Sequence, residues 1–271
     1  MGKVYLTALF MAFVHLSAAA STFGVRLDKD FYFQQKNEKE IEVSVENSSG
    51  KLIFASIELY FGKENKATGE IEFDLSRKIT NYDVVPASVA IPVGQSKKIK
   101  LIRESSEASD SEPEEYYRIR VIPKSADVAL KNNPTLLSLL SEAEKREIED
   151  DKGVSGSINV FIGSGSVLVV QQQKTQDNQI SAKMKKLGGG LALTLANNSK
   201  YTCWLKNARI RTKNKTVNIG DFVIRGEKSK NHEITKEEIK SFSINEEEVD
   251  ALIFSTPDKK EHTIKISNQS L

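Results

Sequence analysis

Cysteine is all but missing from this chain. Cys203 is the only one, so no internal disulfide can staple the fold, whatever the redox state of its compartment. Beside Trp204, the lone thiol is expected to be a buried small apolar group. Histidine is nearly as scarce, with three in 271 residues, which leaves little for acid–base or metal chemistry. His15 lies in the N-terminal apolar run, while His232 in SKNHEIT and His262 in KKEHTIK sit in charged stretches that read as exposed loops.

Other catalytic patterns are absent too. The nearest approach to a Gly-x-Ser-x-Gly elbow, Gly163-Ser164-Gly165-Ser166, lies inside a strand-like run and has no phased histidine. The acidic runs Glu112 to Glu115 and Glu246 to Asp250 lack the ligand order and glycine of a calcium loop and read as solvated faces. Lys185 to Gly190 sets lysines beside glycines without the strand–loop–helix context of a phosphate site, and a turn is enough. The expectation is a protein with no catalytic residues, no metal and no cofactor; a secreted hydrolase finds no supporting constellation.

Charge of one sign is missing as well. Lysine and arginine number 39 against 37 acidic residues, and without Lys3 the balance is 38 to 37, so no nucleic acid or anionic lipid partner is indicated. Beyond the first residues no apolar run reaches the roughly 18 to 20 positions of a membrane helix, and no membrane insertion is expected. The first residues differ. Lys3, the apolar run Val4 to Leu16 and the small residues Ser17 to Ala20 have the pattern of a secretory signal. Cleavage after Ala20 would release a chain starting at Ser21.

What is present is a succession of short strand-like runs: Val25 to Phe33, Ile41 to Glu46, Leu52 to Phe61, Glu70 to Leu75, Val89 to Ile91, Lys97 to Arg103 and Tyr116 to Ile122. Ile41, Val43 and Val45 alternate inward until Asn47-Ser48-Ser49-Gly50 forces a turn. Many short strands with turn punctuation and little helical periodicity predict an all-β fold of immunoglobulin-like sandwich type. One segment departs from this: Leu136, Leu139, Leu140 and Ala143 recur at helical spacing between Pro134 and Asp151, which predicts a short amphipathic helix. It could cap the open end of the sandwich or act as a gate or partner contact.

The second half echoes the first. VENSSGKLIFASIEL from Val45 lines up with LANNSKYTCWLKNARI from Leu195, and AIPVGQSKK near residue 95 with VIRGEKSKN near residue 227. Two echoes in the same order predict two sandwiches in tandem, 21–173 and 174–271, with a helical insertion before the last strand of the first. The second set of strands is expected at Ile180 to Met184, Leu191 to Leu195, Thr202 to Ile210, Phe222 to Ile224, Ile239 to Ile244, Leu252 to Phe254 and Thr263 to Ile266.

The stretch Ser155 to Gln173 reads as one long strand that is apolar on both faces, with Ile158, Val160, Ile162, Leu168 and Val170 on one and Phe161, Val167 and Val169 on the other. Such a strand is either buried in a sheet or held open for a partner chain. Taken in order, VRLDKDFYF, EVSVENSS, VVPASVAIPVGQSKKIKLIR, EEYYRIRVIPKS and INVFIGSGSVLVVQQQ resemble the first domain of the periplasmic pilus chaperones of the chaperone/usher pathway (PapD-like), in a divergent branch. LTLANNSKYTCWLKNARIR resembles the start of that family's second domain.

The resemblance implies a periplasmic, non-enzymatic protein whose partners are pilus or fimbrial subunits and an outer-membrane usher. It implies that Ile158, Val160 and Ile162 lend a strand to a subunit (donor strand complementation), while Phe161, Val167 and Val169 hold that strand to its own sandwich. It also implies two basic residues that anchor the subunit's terminal carboxylate. Lys29 stands near the first position, with Arg26 as alternative; the second falls at Ser166 or Val167, neither of which is basic. Lys29 reads equally as an exposed charge beside Asp28 and Asp30. An apolar lending strand also suggests weak self-association. The rival reading is a secreted two-domain immunoglobulin-like adhesion or structural surface module, whose long strand would be sealed in its own sheet.

Overall fold

The computed structural model describes residues 23–104, 113–152, 161–172, 179–257 and 259–268. The fold is all-β, with two sandwich cores. The first comprises β1 (Phe23–Leu27), β2 (Phe31–Gln35), β3 (Glu40–Asn47), β4 (Ile53–Glu64), β5 (Ile71–Lys78), β6 (Tyr82–Val85), β7 (Ser88–Ile91), β8 (Ser96–Arg103) and β9 (Glu114–Lys124), then β10 (Phe161–Gly163) and β11 (Gly165–Gln171). One sheet has the order β10-β1-β3-β8-β6; the other runs β2-β11-β9-β4-β5, with β7 also paired to β4. Alternation does the work: Val43 and Val45 of β3 and Ile99 and Leu101 of β8 meet Ile57, Leu59, Ile119, Val121, Leu168 and Val170 from the facing sheet.

Two expected single strands are each cut in two. The run Val25 to Phe33 divides into β1 and β2, and the described part of Ser155 to Gln173 into β10 and β11, with each half in a different sheet. The two crossings lie side by side. Ser164 joins them, its Oγ accepting from the Leu27 amide at 3.0 Å and its carbonyl accepting from Val121 N at 2.9 Å. Ser166 Oγ donates to the Lys29 carbonyl, and Val167 N to that of Asp30 at 2.9 Å. The flanking glycines are there for space: a Cβ on Gly163 would stand 2.2 Å from the Val121 carbonyl oxygen, and one on Gly165 2.9 Å from that of Ile119. The crossing also reverses an expectation, because Leu168 and Val170 fill the sandwich core whereas Val167 and the buried Val169 lie on the opposite face of the sheet, toward the second unit.

The insertion is not one helix. It comprises α1 (Ala126–Asn132), a 3-10 turn (Pro134–Leu139) and α2 (Glu142–Lys152). Pro134 disfavours helical backbone at Asn133, which lies outside the helical region at φ −144° and ψ 83°, and extended Leu140 ends the turn. Ser141 then opens α2 in a capping box with Glu144. Leu136, Leu140, Ala129 and Ile148 pack over Phe54 on the outer face of β4, and Glu147 accepts from the Leu52 amide at 2.7 Å. Leu139, expected on the apolar face, is 78% exposed, since the break rotates it outward.

The second core is built from β12 (Ile180–Leu187), β13 (Gly190–Asn197), β14 (Cys203–Arg211), β15 (Thr216–Ile224), β16 (Lys228–Thr235), α3 (Lys236–Ser241), β17 (Ala251–Ser255) and β18 (Glu261–Asn268), in the order β15-β14-β17-β18-β12-β13-β16. Leu191, Leu193 and Leu195 pack with Leu205, Ile210, Leu252 and Phe254. The strand expected over Ile239 to Ile244 is instead α3 and the turn after it, because Thr235 and Glu238 form a capping box that starts a helix. Both histidines are on strands, not in loops. His232 of β16 sets its ring edge-on to Phe222, and His262 of β18 stacks on Phe254.

The sequence echo is a physical one. Asn47 Nδ2 donates to the carbonyls of Lys51 and Ile91, and its Oδ1 accepts from Ser49 N and Oγ. Asn197 repeats every bond, to Tyr201, Ile224 and Ser199. The first echoed segment thus clamps the second in each unit. The boundary expected at 173/174 falls within 173–178, outside the described residues.

Candidate functional site: the cleft between the two sandwiches

Among the described residues two polar clusters join the units. Glu114, expected on a solvated face, is buried: its Oε1 accepts from Gln171 Nε2 at 2.5 Å and from the Thr202 amide, and its Oε2 from Thr202 Oγ1 at 2.7 Å and from the Tyr116 hydroxyl. A buried carboxylate is stable here because four donors surround it. Burial, with Glu114 beside it, pushes the Tyr116 phenol well above its ordinary range. In the second cluster Arg225, from the β15–β16 turn, reaches Glu64 at 3.0 Å and the Gly69 carbonyl, with its guanidinium 5.5 Å from the Tyr116 ring centre. Lys228 lies 3.7 Å from the same Glu64 oxygen.

Near the sheet crossing is a cleft of about 650 Å³, to which Arg26, Lys29 and Ser166 contribute from the first unit and Trp204, Lys206 and Asp221 from the second. Both expected anchor residues therefore reach one cleft. Neither is a free cation: Arg26 pairs with Glu46 at 2.8 Å on an exposed edge, and Lys29 lies 3.7 Å from Asp28 and 5.2 Å from the Tyr32 ring centre. Burial, with the Asp28 carboxylate next, pushes the Tyr32 phenol up. Ser166 and Val167 bring no charge.

The structure adds a cation that sequence reasoning missed. Lys206 makes no ion pair among the described residues, and its Nζ stands 4.5 Å from the Trp204 ring centre, a distance at which the ring face attracts it. Trp204 stacks in turn on Phe33 of the first unit, with ring centres 5.9 Å apart. A bulge in β14 between Leu205 and Ala208 carries Lys206 and Asn207, the latter at φ +49°, just after Trp204. Asp221 fixes the bulge by accepting from Asn207 N at 2.8 Å and from Trp204 Nε1 at 3.2 Å. Tryptophan two positions before lysine is visible in the sequence, but the bulge that carries Lys206 depends on a carboxylate of the neighbouring strand.

Of the residues expected to lend a strand, Ile158 and Val160 lie outside the described residues. Ile162 belongs to β10, whose backbone runs parallel to β1 with Ile162 opposite Gly24. β10 is the outermost strand of its sheet, so its far edge faces no strand among the described residues. Cys203 is buried in the core of the second sandwich, and burial pushes its thiol up to about 12. Among the described residues no group of histidine, cysteine and carboxylate side chains could hold a metal ion, and no helix is long and apolar enough to cross a membrane.

No protein-family description matches the chain, and no curated protein does. Among solved structures it is similar to the YadV chaperone, with 10% identity, a TM-score of 0.46, and coverage of 89% of this chain and 98% of that one. It is similar to the Pseudomonas aeruginosa CupB2 chaperone, with 9% identity, a TM-score of 0.46 and coverage of 89% and 98%. It is also similar to a chain of the CsuC–CsuE chaperone–tip adhesion subunit pre-assembly complex from Acinetobacter baumannii, at 10% identity, a TM-score of 0.45 and coverage of 91% and 99%.

Proposed function

We propose that this protein is a periplasmic, non-catalytic chaperone that stabilises pilus or fimbrial subunits by lending them a β-strand, and hands them to an outer-membrane usher. The observation that carries the reading is the place of β10. The C-terminal part of the two-sided apolar stretch lies at a sheet edge, and the segment before it contains Ile158 and Val160 at the same period of two. Each of Ile158, Val160 and Ile162, if fully buried in a subunit, is worth about 1.5 to 3 kcal/mol before ordering costs.

The subunit's terminal carboxylate would enter the cleft beside Lys29, with Arg26 as alternative. Lys206 takes the part for which the first unit has no second cation. Co-expression with a subunit tests the reading. Val160→Arg should abolish recovery of the subunit and leave the chaperone folded, because it puts an unpaired charge in the subunit's core. Unchanged recovery would sink the strand assignment and favour a strand sealed in its own sheet, as in an adhesion module.

A further inference from the structure

A second cleft, of about 450 Å³, lies between the two units and has different lining residues from the first. Its floor is apolar. Phe31 and Val167 are neighbours across the β2–β11 pairing, and Ile71 and Phe73 come from β5. Phe73 lies close over Gly62, where an added Cβ would stand 2.5 Å from the ring, so the absence of a side chain on β4 lets that ring bed down. All of these side chains rise from a sheet face; the unpaired backbone groups of the edge strands β2 and β5 point sideways in the plane of the sheet, so the floor itself presents apolar groups.

The rim is cationic. Arg225, Lys228 and Lys230 line the cleft against one lining carboxylate, Glu70. Glu64 engages Arg225 and Lys228 from outside the lining, whereas Lys230 makes no ion pair among the described residues and rests its Nζ 5.8 Å from the Phe222 ring centre. Among the described residues Arg225 Nε is buried without a hydrogen-bond partner. The cleft therefore pairs an apolar floor with a surplus of positive charge at one end.

We propose that this cleft binds a fatty carboxylate, its chain on Phe31, Ile71, Phe73 and Val167 and its carboxylate on the Arg225, Lys228 and Lys230 rim. The volume is in the small-molecule range of about 300 to 1,000 Å³. A peptide is a poor occupant, because its N–H and C=O groups would meet a floor that offers them no partner. An alkyl chain brings no such groups. Since the floor belongs to the first unit and the rim to the second, the ligand bridges the two and favours their present arrangement. The assignment is independent of strand lending.

Calorimetric titration of the purified protein with decanoate, held below its micelle concentration, tests it against 1-decanol and decyltrimethylammonium. The expected result is saturable one-to-one binding of decanoate, with both analogues at least about tenfold weaker. The double variant Lys228→Gln/Lys230→Gln, whose exposed side chains leave both cores untouched, should weaken decanoate by about tenfold or more at an unchanged circular dichroism spectrum. Val167→Trp, which fills the floor, should abolish binding with both lysines present. No saturable binding of decanoate, equal binding of decanol or the ammonium, or an unaltered affinity in the double lysine variant would overturn the proposal.

Discussion

Asn197 Nδ2 donates to the Ile224 carbonyl at 2.9 Å, and Asn47 makes the same bond to Ile91 at 2.8 Å in the other sandwich. Each asparagine is at most 2% exposed, so its carboxamide acts without competition from water. Replacing either one by alanine leaves buried carbonyls without their donor, at about 1 to 3 kcal/mol for each orphaned group. Asn47→Ala should lower the denaturant midpoint of the first unit and Asn197→Ala that of the second, as read by urea unfolding.

Gly163→Ala should destabilise the first unit by about 1 to 3 kcal/mol, because the new methyl meets a backbone oxygen of β9 that cannot swing aside. Gly188→Ala is the control. A Cβ there meets nothing within 4 Å, and its thermal midpoint should stay within about a degree of the parent.

Glu114→Ala should loosen the two units from one another without unfolding either. It removes a charged acceptor from Thr202, Gln171 and Tyr116, each bond to such a group being worth about 1.5 to 3 kcal/mol. Small-angle scattering should show a larger maximum dimension at an unchanged far-ultraviolet spectrum; an unaltered scattering curve would contradict the role given to this carboxylate.

Cys203 should resist alkylation in the native protein at pH 8 to 9, where an unperturbed thiol reacts readily, and react at once in urea. Its pKa in the fold, about 12, lies above that of the unfolded chain, so the native state holds the proton more tightly. The stability this gives is complete below the unfolded value of about 8.5 and falls as pH rises from there toward 12. Cys203→Ser should show less of that alkaline loss in thermal unfolding between pH 8 and 10.

Much of the fold could be read directly from the residues. Val43 and Val45 alternate because one face is buried, and the Asn-Ser turns could be matched by eye because the clamp needs those side chains at that spacing. The sheet crossing could not be read, since the clash that demands Gly163 comes from Val121, far away in the chain. Thr235 and Glu238 carried a helix signal that the apolar spacing of Ile239 and Ile244 obscured. Glu114 looked like a surface acid because its donors, Gln171 and Thr202, lie at the junction with the other sandwich. In the cleft, Lys29 and Arg26 were found by position along the chain, whereas Lys206 is aimed by a bulge that Asp221 holds from the neighbouring strand.

The crossing at Ser164 also decides how the last strand of the first sandwich carries a mechanical pull. Among the described residues β10 is paired along one side, over three positions with β1, while β11 is paired on both, over five positions with β2 and seven with β9. A force applied from the N-terminal side peels β10 first and is stopped where Ser164 and Ser166 stitch the chain to Leu27, Val121 and Lys29. The stretch thus has a tear line built into it, and the core residues Leu168 and Val170 lie on the protected side.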